Sequence, residues 1–198
     1  VYGPAGLKTA VTTSFQKESW RVAGKLASWD EQHPLLFDKR SYARENKLRS
    51  EHLTKGKLVL LSLGGVSSPF PLAPILKELV KAKFPAPKWQ VVDLANIKAE
   101  RFYDLLGLYE KAHCLIATDS GPLHLARATP ELPVFALVND KPLLWNGSPW
   151  RPNHAFYCRY GDLPARAGAF VWALDQIGGV GFRATKSPQI VHVWNEYE

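Results

Sequence analysis

Apolar and polar positions along the chain fall into a regular order from Lys57 onward. "KLVLLSL" (57–63) is a short run of strand formers, apolar almost throughout, that closes on Gly64-Gly65. "LAPILKELVKAKF" (72–84) has helical spacing: Leu72, Ile75, Leu76, Leu79 and Val80 share a face and the lysines lie off it. "WQVVDL" (89–94) predicts a strand, and "ERFYDLLGLYEKA" (100–112) a helix with Phe102, Leu105, Leu106 and Tyr109 on one side. "HCLIAT" (113–118) is a strand, "PLHLARAT" (122–129) a short helix and "PVFALV" (133–138) another strand. Strands that are apolar throughout are buried on both faces, and alternating them with short helices builds a parallel sheet from βαβ units. The pattern therefore predicts an α/β protein with a Rossmann-like parallel sheet flanked by helices.

The flanks are less regular. "SYARENKLRSEHL" (41–53) reads as an amphipathic helix leading into the first strand, while residues 1–40 hold aromatic and basic residues with no clean period. Beyond Val138 comes the Trp/Pro/Asn-rich loop "NDKPLLWNGSPWRPNH" (139–154), then a strand-like "AFYCR" (155–159) and a helix, "LPARAGAFVWALDQI" (163–177). The tail "QIVHVWNEY" (189–197) fits an edge strand or a segment packed on a neighbour.

Composition narrows the class. With 198 residues, 46% hydrophobic and 22% charged, the chain is an ordinary globular protein long enough for one sizeable core. No run approaches the roughly 20 apolar residues of a membrane span, so no transmembrane segment is expected. "VYGPAGLKTAV" lacks the apolar core of a signal peptide. The absence of Met and the start at Val1 fit a piece of something longer. Cys114 lies inside an apolar strand, far from Cys158, and reads as a buried reduced thiol. A cytoplasmic protein is the simplest expectation, peripheral contact with the inner membrane included. The net charge of +7 points to anionic partners: a nucleotide, a phosphorylated glycan, a lipid headgroup surface or nucleic acid. A solvated basic surface accounts for the charge equally.

In a parallel α/β sheet, ligands bind where strands end and helices begin. Two such points carry suitable residues. The first is Gly64-Gly65-Val66-Ser67-Ser68, with the glycines of a tight turn and two hydroxyls. It is neither a P-loop nor a dinucleotide fingerprint, because Gly-Lys-Ser/Thr and G-x-G-x-x-G are both absent. The second is Asp119-Ser120-Gly121-Pro122, followed by His124. Pro122 suits the first helical position, Gly121 or Ser120 the cap, and His124 the first turn. N–H groups at a helix start favour an anion, Ser120 supplies a hydroxyl, and His124 can donate to a phosphate or ribose oxygen. Asp119 is expected to organise the loop or bind a hydroxyl. A plain helix cap with a hydrogen-bonded histidine accounts for the same residues. Trp145 or Trp150 could stack on a base or sugar, and Lys141 or Arg151 could meet phosphate; packing against the core fits them as well.

"YDLLGLYEKAHCLIATDSGPLHLARA" resembles the signature region of glycosyltransferase family 9, which includes the lipopolysaccharide heptosyltransferases. There a helix leads into a strand and then D-[ST]-G-x-x-H-x-A, here Asp119, Ser120, Gly121, His124 and Ala126. "LLSLGGVSSPFP" is similar to the first strand and loop of that family's second domain. The resemblance covers about residues 57–140. It implies the C-terminal, donor-binding half of a GT-B fold. Residues 1–40 would be the remnant of an N-terminal domain and the interdomain connection, 41–178 the nucleotide-sugar-binding domain and 179–198 a C-terminal tail. The implied activity is sugar transfer from a nucleotide-diphosphate sugar to a glycan or other hydroxyl acceptor. No metal and no cofactor beyond the donor substrate are implied. Gly64, Gly65, Ser67, Ser68, Asp119, Ser120, Gly121, Pro122 and His124 would bind the donor, and the catalytic base would lie on an N-terminal partner domain. The chain departs from the family in one respect: the family often places a lysine just after the first-loop serine, and here the first lysine is Lys77.

Alternatives stay open: a catalytically inactive or degenerate binding module, or an enzyme like the nucleotide-sugar 2-epimerases. The epimerases' T-D-S-G-G motif is matched here as far as "TDSG", where Pro122 replaces the second glycine. A transferase acting on nucleic acid is compatible with the basic balance and not favoured.

Overall fold

Successive side chains of a strand leave on opposite faces, so a strand that is apolar throughout needs a core on each side. The computed structural model supplies both cores; it describes residues 15–28, 36–54, 56–65, 70, 72–138, 155–159 and 191–192. The strands are β1 (Lys57–Ser62), β2 (Trp89–Asp93), β3 (Ala112–Thr118), β4 (Val134–Val138), β5 (Ala155–Arg159) and β6 (Val191–His192). The helices are α1 (Phe15–Val22), α2 (Tyr42–His52), α3 (Ala73–Lys83), α4 (Leu106–Tyr109) and α5 (Gly121–Leu125). Short 3-10 turns sit at Leu26–Ser28, Leu94–Asn96, Phe102–Leu105 and Ala126–Ala128.

The strands form one sheet in the order β2-β1-β3-β4-β5-β6, with every neighbouring pair parallel. This is the expected α/β, Rossmann-like arrangement. Leu58, Leu60, Leu115, Ala117, Val134 and Ala136 point into a core shared with α2, α4 and α5. Val59, Leu61, Cys114, Ile116, Phe135 and Leu137 point the other way, onto Leu76 and Val80 of α3. All seven residues of β3 are buried. Cys114 is buried, as its place in the apolar run implied. The helices divide between the faces because right-handed crossovers put a leftward and a rightward connection on opposite sides. The chain moves outward from β1 to β2 through α3, then back past β1 to β3 through α4. The tail contributes its edge strand, β6, paired with β5.

Several elements differ from the pattern's forecast. Helix α3 buries only Leu76 and Val80, while Leu72, Ile75 and Leu79 are exposed. The stripe facing the sheet is narrower than the apolar face of the helix. β2 is only half-buried beyond Trp89, because it lies at the sheet edge. The segment forecast as one helix over 100–112 is a 3-10 turn, one α-helical turn and then strand from Ala112. Residues 1–40 contain α1, which no clean period announced. The forecast helix 163–177 and the loop 139–154 lie outside the described residues.

A fully buried carboxylate, Glu45, and a partly exposed one, Glu110, anchor the α2 side. Glu45 on α2 receives Arg40 Nη2 at 2.6 Å and Nε at 2.8 Å, with Arg49 Nη2 at 3.5 Å. Arg40 and Arg49 also hold Glu110, at 2.7 and 3.2 Å. Hydrogen bonds that Arg40 donates to the Glu45 and Glu110 carboxylates hold its guanidinium above its ordinary pKa. A buried charge is tolerated only when paired this fully. Gly107 lets α2 and α4 approach closely: a Cβ there would lie 2.7 Å from Glu45 Cβ.

Candidate ligand site at the switch point of the sheet

The order β2-β1-β3 means that the connections after β1 and β3 leave in opposite directions. Such a switch point leaves a crevice beyond the strands' C-terminal ends. Gly64-Gly65, the described start of the first loop, and the Asp119–Pro122 loop both follow strand ends at that edge. Thr118 Oγ1 donates to Ser62 O at 3.4 Å, tying the end of β3 to the end of β1. Asp119 N donates to Leu137 O at 3.2 Å, carrying the ladder one residue past β3.

Ser120 is the N-cap of α5, in extended backbone, and its carbonyl accepts from Leu123 N at 3.0 Å and His124 N at 3.3 Å. Its hydroxyl does not cap the helix; it donates to Thr118 O at 3.0 Å. Pro122 takes the second helical position rather than the first, since Gly121 already begins the helix. Tyr109 Oη donates to Pro122 O at 3.0 Å, bracing the turn from α4. His124 Nε2 lies 3.3 Å from Asp119 Oδ1, with the carboxylate 9% and the imidazole 36% exposed. Asp119 thus orients a half-exposed histidine. Helix α5 spans five residues, so its dipole is slight and anion binding there would depend on individual N–H and O–H groups.

Beside this loop lies a cavity of about 410 Å³. Its walls are Ser62, Leu63 and Gly64 at and just past the end of β1, Leu94, Ala95, Ile97 and Ala99 after β2, then Phe102 and Leu105, with Ser120 and Pro122 after β3. The volume falls in the range of small-molecule sites, about 300–1,000 Å³. The lining is mostly apolar, with two hydroxyls. A Cβ on Gly64 would meet nothing within 4 Å, whereas one on Gly121 would come 3.1 Å from Phe102 Cζ. Gly64 therefore faces open space, and Gly121 makes room for the aromatic ring. Another hollow, about 460 Å³, opens near Tyr109, Glu110, Thr129 and Glu131. It lies by the start of β3 and the approach to β4, away from the switch-point loops, so its larger volume does not make it the better candidate.

Gly64, Ser120 and Pro122 thus line one cavity, with Asp119, Gly121 and His124 in the same loop and helix just outside it and Gly65 next to Gly64. Ser67, Ser68, Lys141, Trp145, Trp150 and Arg151 lie outside the described residues. Lys77 is bound to Asp93 at 2.5 Å, at the end of β2. The sequence reading missed Leu94, Ile97 and Phe102 as cavity walls. The available signal was that the connection after β2 opens at the same sheet edge. Among the described residues, no group of three or more His, Cys, Asp or Glu side chains gathers as a metal site.

No protein-family model matches the chain, and no curated protein matches it. Among solved structures, it resembles the glycosyl transferase family 9 structure from Veillonella parvula DSM 2008, with TM-score 0.56 at 14% sequence identity. The match covers 77% of this chain and 51% of that one. The likeness is one of fold. The chain spans about half the length of that neighbour. No helix among the described residues is long and apolar enough to cross a membrane.

Proposed function

We propose that this chain is the donor-binding part of a nucleotide-sugar-dependent glycosyltransferase with the GT-B plan. The observation that carries the reading is the joining of the Asp119-Ser120-Gly121 loop to an apolar cavity at the switch point, in a fold like that of a family 9 transferase. A nucleotide-diphosphate sugar combines a flat, largely apolar base with a charged diphosphate. The cavity between Ile97, Phe102 and Leu105 suits the first. The N–H groups of Ser120 and Gly121 at the start of the helix, with His124 held by Asp119, suit the second. Gly64, Gly65, Ser67 and Ser68 would approach the donor from the β1 side.

In the transfer, the acceptor oxygen bonds to the anomeric carbon as that carbon's bond to the diphosphate oxygen breaks. The electron pair leaves on the nucleoside diphosphate, and the acceptor's proton passes to a base. The role of this chain is to hold the donor and stabilise the charge growing on the leaving diphosphate. The base and the glycan or other hydroxyl acceptor are assigned to an N-terminal partner domain, with residues 1–40 its remnant and connection. No metal enters the scheme.

Calorimetry and thermal shift with ADP-, GDP-, UDP- and dTDP-sugars test this. A donor present at 100 times its Kd should stabilise the chain by about 2.7 kcal/mol. Ser120→Ala and His124→Ala should each weaken it. A folded chain that binds none of the four would favour the degenerate binding module.

A further inference from the structure

The 3-10 turn Phe102–Leu105 has two working sides. With three residues per turn, positions three apart eclipse one another, and Phe102 and Leu105 both line the cavity. Tyr103 lies a third of a turn away and faces the segment that leads into the described domain. Its ring stacks on Phe37, with centroids 5.0 Å apart and planes 18° from parallel. Arg101, just before the turn, reaches the same segment: Nη1 donates to Lys39 O at 2.9 Å and to Tyr103 Oη at 2.7 Å. Its other nitrogens hold the buried Asp104, with Nη2 to Oδ1 at 2.6 Å, while Arg101 N donates to Asp104 Oδ2 at 3.2 Å. The turn is therefore pinned as one piece between the segment Leu36–Arg40 and the cavity.

We propose that this turn is a positioning element, through which the seating of Leu36–Arg40 sets the affinity of the switch-point cavity for its ligand. Phe37, Arg101 and Tyr103 are positioning residues that act through Phe102. The inference rests on the ligand-site reading above and adds a control to it. With the segment seated, Tyr103 is stacked, Arg101 has its full set of acceptors, and Phe102 is held against Gly121. With the segment lifted, the stack, the Lys39 carbonyl and the Arg40 bonds to Glu45 and Glu110 are lost together, and on that side the turn keeps only the bonds of Arg101 to Asp104 and Tyr103. A ligand that packs on Phe102 binds the seated state more tightly, and by linkage it must hold the segment down. Whatever chain precedes Leu36 can thus favour or oppose ligand binding without touching the cavity.

The test uses the full 198-residue chain and whichever of ADP, GDP, UDP and dTDP binds it most tightly. Phe37→Ala, outside the cavity, should weaken that Kd about tenfold, within the usual range of coupling between sites, at unchanged stoichiometry. The ligand should also slow amide exchange at Leu36–Arg40 in the unsubstituted chain. Phe37→Leu replaces the alanine variant if that fails to fold. Without any ligand, Phe102→Ala should quicken exchange at Leu36–Arg40 several-fold. Unchanged affinity in a folded Phe37 variant overturns the proposal, as does exchange at Leu36–Arg40 that is indifferent to Phe102→Ala. If no nucleoside diphosphate binds, the donor reading fails, and the Phe102→Ala exchange still decides the coupling.

Discussion

At the scale of single residues, the molecule's most demanding positions are not those with conspicuous chemistry. Glu45 is fully buried and held by two arginines. Glu45→Ala takes the buried carboxylate from Arg40 and Arg49, which keep Glu110, and should cost about 1–3 kcal/mol in urea unfolding, less than leaving a buried charge wholly unpaired. Gly107→Ala places a Cβ 2.7 Å from Glu45 Cβ and should cost about 1–3 kcal/mol in the same assay, as overpacking does. At the site, two glycines should behave oppositely. Gly64→Ala has open space before it, so stability should stay within about 0.5 kcal/mol, while affinity for a nucleotide-sugar falls as the methyl enters the cavity. Gly121→Ala presses on Phe102 and should lower the melting temperature even without ligand. Asp119, Ser120, Gly121 and His124 could be picked out in the sequence because their residue types are unusual at a strand end. Phe102 could not: an aromatic at helical spacing reads as core, and only the three-dimensional cavity reveals its exposed edge.

At the scale of elements, periodicity located most of the described helices and strands, though not α1, and misjudged how they sit. The apolar face of α3 is wide, yet the sheet takes only the line through Leu76 and Val80. Leu76→Ala should therefore cost about 2–5 kcal/mol, and Ile75→Lys should stay within about 0.5 kcal/mol. Equal losses by denaturant unfolding would mean that the outer face is covered too. The segment 100–112 shows a second limit. Leu105, Leu106 and Tyr109 are buried as their spacing predicted, but a one-sided apolar pattern over two turns cannot distinguish an α-helix from a 3-10 turn followed by one α turn. The bonds of Arg101 to Asp104 decide the matter, and no periodicity encodes them.

At the scale of the whole molecule, the class of fold was legible because β1, β3 and β4 are apolar on both faces and helical segments separate them. The strand order was not, since interchangeable buried strands carry little information about their neighbours. The overall charge of +7 is an excess that ion pairs, which use one charge of each sign, leave unchanged; among the described residues many of the cations are nonetheless engaged. Arg40, Arg44, Arg49, Arg101, Lys77 and Lys81 all hold carboxylates. If the ligand is a nucleotide-sugar rather than nucleic acid, duplex DNA affinity should be weak and vary little with salt; a steep log–log slope would instead indicate several phosphate contacts.

The order β2-β1-β3 also has a consequence in time. The central pair joins residues remote in sequence, such as Leu60 with Leu115 and Ile116 with Leu61, and a parallel pair cannot close through a hairpin. The intervening helices and edge strand must be gathered before that pairing returns any free energy. Refolding should therefore be slow for the chain's size, with β1 open on its β3 side in the interim. During that interval the most apolar strands of the protein expose unpaired edges, and refolding yield should fall as protein concentration rises.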